Sequence, residues 1–522
     1  MDNLVVWITI GVYIVLIAVV GIIAGKGKKS VADLTVGGRN AGAWLSALSY
    51  GTAYFSAVMF VGYAGGTGFG FGMWGILAGI GNAAFGAWLA WAVLARRTRD
   101  VTQRLKIKTM PQYLEKRYQS GSMRVFSALV IFIFLVPYSA SVYKGIASIS
   151  KVMLSENISD KLWLVIIAVV AMLILVFGGY VVQARADFVQ GIMMIIGMVA
   201  LLAFIIRSSQ VGGPAGIIEY VKSDIGLPAL KGPQWVALIS LVLMTSFGTW
   251  GLPHMIQKYF GIKSDRQAKM GTVISTLFCL LIAGGGYFIG SLVFKILTPS
   301  TIDGLKAQYP QNFKDYLVPT ILKTVQLPDI LVGLTLVMLI AASVTTLCSL
   351  SLTASSVLSL DFIKSSFKKD MGDKSAANMT KIIGVLFIVV SYIVANTKTP
   401  ILDMMAYSWG ILSGSFLAPY AIALFWKGLN KAGAWAGILV GFCVALPPAV
   451  AKMAMVLGFA ESSAAAGGPP NAFDALAGKG PNYAVLAMLC SIAVCVVVSL
   501  IANAAGKKQD NEFFYTGVVQ AE

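Results

Sequence analysis

The chain has 522 residues, of which 57% are hydrophobic and only 12% charged, and its mean hydropathy is +0.80. Soluble domains carry roughly 25% charged residues. The composition therefore excludes a disordered chain, a disulfide-stapled secreted domain and an ordinary cytosolic enzyme, and leaves an integral membrane protein of many helices. The formal charge of +18 falls mainly in short loops between apolar runs, which points to membrane topology and away from nucleic acid.

A spanning helix needs about 20 mostly apolar residues. Runs of that kind lie near 4–25, 42–66, 72–95, 124–150, 162–182, 187–207, 234–256, 270–297, 328–358, 379–397, 402–426, 432–458 and 483–505. They predict an all-α polytopic protein of about thirteen transmembrane helices, in one transporter domain over 1–522. The first run lacks a basic n-region and a cleavage site, so it reads as a retained span. Loops on one side hold the richer share of Lys and Arg, Lys258 and Arg117 among them. The positive-inside rule makes that side cytoplasmic, with the N-terminus outside, the C-terminus inside, and the plasma membrane as the location. Two longer outer loops, 208–233 and 298–327, are expected to hold short helices or lids. The tail from Gly506 to Glu522 is polar and reads as mobile.

The one histidine, His254, and the five cysteines have no metal-ligand spacing. The chain contains no P-loop pattern, and no nucleophile–base pair or catalytic carboxylate pair marks an enzyme.

The second span contains Ser49-Tyr50-Gly51-Thr52 and the seventh Ser246-Phe247-Gly248-Thr249. The shared Ser-aromatic-Gly-Thr sits near the middle of each, five spans apart, so the two enter the membrane from opposite sides. Glycine weakens a helix and Pro253 removes a backbone donor. Carbonyls freed there can coordinate a cation at membrane depth; close packing through small residues gives the same pattern. The ninth span adds Ser343, Thr345, Thr346, Ser349 and Ser351. Such hydroxyls suit a hard monovalent ion, and they also back-bond to their own helix.

With these residues in hand, the chain resembles the sodium:solute symporter family. The resemblance rests on Val36-Gly37-Gly38-Arg39, Ser49 to Ser56, and Gly251-Leu252-Pro253-His254. It extends through Ala341 to Leu347, Ser355-Ser356, Asp361 and Tyr407-Ser408-Trp409-Gly410 with Gly414 and Pro419. It runs from about residue 5 to 505 and is nearest to the proline and pantothenate carrier branches. It implies a five-plus-five inverted-repeat core of the leucine-transporter type, here 42–207 and 234–426, followed by additional helices over 432–505. It also implies sodium-driven uptake of a small organic solute, with sodium held by backbone oxygens of Thr52, Phe55 and Ala342 and side-chain oxygens of Thr345 and Thr346. Proline carriers of the family have an acidic residue where this chain has Tyr54, and tyrosine there looks more like the pantothenate branch.

Ionisable groups inside spans are functional candidates. Asp187 matches the family pattern Thr-Asp-x-x-Gln with Ala186 in place of Thr; it is read as an ion-pathway residue or as an ion pair with Arg185. Lys144 is read as an interfacial lysine or as a group that holds a solute carboxylate. Tyr54, Tyr138, Thr249 and Trp250 complete the expected solute site. Asp403 and Lys398 read as an exposed outer pair. The expected partners are the solute and the lipid bilayer, with no nucleic acid and no obligate protein partner inferred. A proton-coupled carrier and a transporter-like sensor are the alternatives.

Overall fold

A computed structural model describes residues 4–25, 39–154, 160–397, 399–463, 471–506, 509 and 511–516. Lys398 lies outside them, so the expected Asp403–Lys398 pair does too. The described chain is helical. Its strand-like pairing is an isolated bridge between Ala41 and Ile262.

In chain order, α1 (Leu4–Gly25) is followed by α2 (Ala43–Tyr54). The chain breaks at Phe55 and resumes as a π-helical turn, Val58–Tyr63, that leads into α3 (Ala64–Phe71). Gly72, with φ of +58°, turns the chain back into a run of short helical pieces ending at Arg104. Any side chain at Gly72 would also approach the carbonyl of Gly226 to 2.7 Å. Next come α4 (Met110–Tyr118), α5 (Gly121–Met153) and α6 (Asp160–Arg207). The short α7 (Gly213–Lys222) precedes α8 (Gly232–Phe247), a break, and α9 (Pro253–Phe260). Then follow α10 (Asp265–Ser291), α11 (Pro299–Gln308), α12 (Leu317–Thr324) and α13 (Asp329–Ser356). The last elements are α14 (Asp373–Ala395), α15 (Ile401–Ala421), α16 (Lys431–Val456), α17 (Gly480–Ala504) and α18 (Glu512–Thr516). The two long outer loops do hold short helices, α7 in one and α11 and α12 in the other.

Nine helices among the described residues are long and apolar enough to cross a membrane, or ten when the bent pair Gly232–Trp250 and Pro253–Phe260 counts as one. They do not give thirteen separate helices. One apolar stretch, Val58–Arg104, takes in residues 58–66 of the second expected span and all of the third. The fifth and sixth expected spans run together in α6.

Close helix approach through small residues holds the bundle. A Cβ on Gly68 would lie 1.9 Å from the Gly290 carbonyl, and one on Gly441 1.9 Å from the Gly414 carbonyl. Glycine is therefore obligatory where α3 crosses α10 and where α15 crosses α16. At the basic end the two broken helices are tied together. Ala41 N–H donates to Gly261 O at 2.9 Å, and Lys263 N–H to Ala41 O at 3.0 Å. Arg99 and Gln103 donate to Ile262 O at 3.2 and 2.7 Å.

Three expectations from the sequence change here. Lys258 and Arg117 are not loop charges: both are buried. Arg117 donates to the carbonyls of Trp426 and Leu429 at 3.2 and 2.8 Å. Nor is the whole tail loose, because α18 carries two aromatics into the fold. Phe514 is buried against Tyr113 with ring centroids 5.3 Å apart. The Tyr515 hydroxyl donates to Ala423 O at 2.5 Å, and the Arg117 guanidinium lies 5.5 Å from both rings. Removing a buried Phe side chain costs about 3 kcal/mol or more. Phe514→Ala is thus expected to lower the melting temperature in detergent and expose the tail to protease; an unchanged melting curve would show that the packing is incidental.

Candidate functional site

Why the first break occurs, and what it frees, can be traced atom by atom. Phe55 takes an extended conformation (φ −113°, ψ 115°) at the end of α2. The Ala57 amide loses its helical acceptor and donates to Ser343 Oγ of α13 at 3.2 Å. The carbonyl of Thr52 turns toward the same helix. Thr345 Oγ1 donates to Thr52 O at 3.2 Å and to Ala342 O at 2.9 Å. Thr346 Oγ1 does the same at 3.3 and 2.9 Å. Four of the five expected sodium ligands, Thr52, Ala342, Thr345 and Thr346, therefore converge, and Phe55 stands at the break beside them. The donor set is neutral and all oxygen. That set fits a hard monovalent cation, whose ligands are carbonyls and hydroxyls. Thr52, Ala342, Thr345 and Thr346 are all buried.

The second break runs from Gly248 through a single 310 turn to Leu252, where the backbone is extended (φ −82°, ψ 118°) before Pro253 opens α9. The two halves are bent by 42°. Ser413 Oγ of α15 donates to Gly248 O at 2.6 Å. A Cβ on Gly248 would come 3.0 Å from the Trp409 ring, so glycine lets Trp409 close on the break.

Aromatic rings fill the space between the breaks. Tyr54 stacks on Phe55 at 4.2 Å and on Trp409 at 6.1 Å, and Tyr138 meets Trp409 edge-on at 5.8 Å. The Tyr54 hydroxyl donates to Thr245 O at 2.5 Å, which joins α2 to α8. Thr249 Oγ1 donates to Ser246 O at 2.9 Å and to Gly86 O at 3.4 Å. Tyr54, Tyr138 and Trp409 thus form one cluster beside both breaks. In the sequence Trp409 stands only within Tyr407-Ser408-Trp409-Gly410; its place as the shared ring depends on how α15 packs.

Two expected solute-site residues are placed elsewhere. Trp250 Nε1 donates to Phe85 O at 3.0 Å, and its ring lies against Phe247 at an exposed face. Lys144 Nζ donates to Thr399 O at 2.7 Å, just before α15. Nearby in the outer connection, the buried Asp315 accepts from the Ile401 amide at 3.3 Å. Burial pushes its carboxyl above the usual carboxylate range, against the opposing pull of Lys144.

Asp187 corrects the sequence reading most. Arg185 is exposed and Asp187 buried on the same helix, so the expected pair between them does not form. The partner is Lys258 of α9, at 3.2 Å from Asp187 Oδ2. Ser49 Oγ of α2 donates to the same carboxylate oxygen at 2.5 Å. Lys258 Nζ also donates to Ser49 Oγ at 2.9 Å and to Ser349 Oγ at 3.0 Å, and Gln183 donates to Ser349. Ser349 follows Thr345 by one helical turn, about 6 Å along the axis. Thr353, one turn further, donates to Gln257 at 2.9 Å. The i, i+4, i+8 spacing of Thr345, Ser349 and Thr353 was visible in the sequence as one polar stripe. Nothing in the sequence signalled that Lys258 meets it.

A family model described as "Sodium:solute symporter family" matches residues 34–441. The chain is 30% identical over 456 residues to the high-affinity proline transporter PutP of Bacillus subtilis (strain 168), covering 85% of this chain and 93% of that one. It is 27% identical over 446 residues to the sodium/proline symporter of Escherichia coli (strain K12), covering 83% and 86%. Among solved structures, that of a Na+-coupled sialic acid symporter in a substrate-bound outward-open state superposes with a TM-score of 0.73. It is 17% identical and covers 95% of this chain and 98% of that one. At that identity the match shows a shared fold.

Proposed function

The chain belongs to the sodium:solute symporter family and is a multi-pass, sodium-coupled symporter and not an enzyme; from that premise we propose that it imports a small zwitterionic solute, an amino acid such as proline. The observation that carries the coupling is the convergence of Thr52 O, Ala342 O and the hydroxyls of Thr345 and Thr346. Phe55 O completes the set of five ligands. The repeats are 42–207 and 234–426, and the basic end faces the cytoplasm, with the N-terminus outside and the C-terminus inside.

Mechanistically, an ion at this site bridges α2 and α13 across the first break. It favours whichever state brings the two helices together, and only by its differential affinity for that state. The solute then binds against Tyr54, Tyr138 and Trp409, with Thr249 at the second break. Backbone groups freed at the two breaks are suited to its charged ends. Trp250 packs outside this space against Phe247 and Phe85, and Lys144 acts at the outer end, where it ties α5 to the segment before α15. The proline relatives support an amino acid.

A second reading has its own support. Tyr54 occupies the position where the family's proline carriers have an acid, and its hydroxyl is engaged by Thr245 O. That favours a carboxylate such as pantothenate or a monocarboxylate. Thermal stability of the purified protein in sodium, and in choline at equal ionic strength, separates the readings. A ligand that binds only the folded state raises the melting temperature. Proline is expected to give a shift that appears only with sodium. A sodium-dependent shift with pantothenate and none with proline replaces the first reading by the second, and a shift that follows pH and ignores sodium overturns both.

A further inference from the structure

Beneath the sodium site, on two of the same helices, an amino group occupies a nest of oxygens. Lys258 Nζ lies 2.9 Å from Ser49 Oγ, 3.0 Å from Ser349 Oγ and 3.2 Å from Asp187 Oδ2. The oxygens come from α2, α13 and α6, while the lysine arrives from a fourth element, α9, the far half of the second broken helix. All four residues are buried. The second carboxylate oxygen, Asp187 Oδ1, is buried and has no hydrogen-bond partner among the described residues. A buried carboxylate demands a counter-charge. Here the counter-charge is covalently part of the chain.

We propose that the Lys258 ammonium is a tethered cation filling a second monovalent-cation position built from Ser49, Asp187 and Ser349. The inference rests on the sodium-coupled reading and goes beyond it, because it fixes how many ions this chain carries. An ammonium and a sodium ion compete for the same hard oxygens, and two cations cannot share one carboxylate in a low-dielectric interior without strong repulsion. With Lys258 in place the wild type binds one sodium ion, at Thr345 and Thr346. Removing the ammonium leaves Asp187 charged and uncompensated, and sodium takes its place. The two sites lie one turn apart on α13 and share α2. Lys258 therefore reports, through α9, on the position of the second broken helix.

The test uses purified full-length protein and sodium alone as the probe, with choline holding ionic strength constant. Equilibrium binding of radioactive sodium and sodium-dependent melting are measured for wild type, Lys258→Gln, Lys258→Arg and Lys258→Gln/Asp187→Asn. The expected result is one bound sodium in wild type and in Lys258→Arg, two in Lys258→Gln, and one again in the double variant. Lys258→Gln is also expected to be much less stable in choline and to recover in sodium. A second sodium already present in wild type overturns the proposal, whether or not any variant folds. So does a Lys258→Gln protein that still binds a single ion, or one that sodium does not stabilise; the pair is then only structural. Adding Thr345→Ala and Thr346→Ala to Lys258→Gln separates this from failure of the coupling site. The sodium response at Asp187 is expected to survive that change.

Discussion

Thr345→Ala combined with Thr346→Ala is expected to abolish sodium-stimulated uptake while the protein still reaches the membrane. Each hydroxyl now donates to Thr52 O and Ala342 O. With an ion bound, both would turn their lone pairs to it. Interactions with a charged group are worth roughly 1.5–3 kcal/mol each, so losing two weakens sodium binding by about 3 kcal/mol or more, over 100-fold. The structural cost is small. Alanine is the best helix former, and the lost hydrogen bonds leave only two carbonyl acceptors, Thr52 O and Ala342 O. A flux assay in cells, with surface expression measured in parallel, decides the point. Normal sodium-dependent uptake by the double variant would remove the site from consideration.

Asp361→Ala is expected to damage folding more than any other single change outside the transport site. Asp361 is buried at the basic end of α13, where the helix widens into a π-helical turn. Its carboxylate accepts from Thr109 Oγ1 at 2.5 Å, Gln112 Nε2 at 2.9 Å and Arg124 Nε at 2.9 Å, and Arg124 also reaches Glu115 at 2.9 Å. These bonds pin α4 and the start of α5 onto α13. Removing one partner of a buried charge network costs about 3–5 kcal/mol, because the other charge stays behind. The melting temperature and the yield of folded protein should both fall sharply. Asp361→Asn, which keeps an acceptor oxygen, is expected to be milder. A melting curve for Asp361→Ala that matches wild type would show that Arg124 is satisfied by Glu115 alone.

Much of the site was legible because it is made of local features. The second break declares itself through Gly248 and Pro253, which are poor in helices for reasons internal to each residue; the first falls at Phe55, four residues past Gly51, which stays helical within α2. The proposed ligand pair Thr345–Thr346 declares itself as hydroxyls in an otherwise apolar run. Resemblance supplied the rest of the ligand set, and the helix crossing brings four of the five together. Residues whose meaning depends on a distant partner were read less well. Lys144 could be read as an interfacial lysine or as a group for a solute carboxylate, but its contact with Thr399 O depends on where α15 begins. Trp250 could be placed on the broken helix, but its turn toward Phe85 is decided by the rotation of α8 against the preceding helical run.

Composition and apolar run length alone determined that this chain lies in a membrane as an all-helical bundle, because a bilayer admits few other ways to satisfy a backbone. The position of the second break and the oxygen chemistry of the proposed cation ligands followed from single residues. Only the tertiary structure decided which charges are neutralised inside. In the sequence, Asp187 is near Arg185 and Lys258 looks like a loop cation. In the fold, Arg185 faces outward on the helix that buries Asp187, and α9 carries Lys258 inward from 71 positions away. Pairing of buried charge is set by helix rotation and crossing, and neither is encoded in the spacing of any one segment.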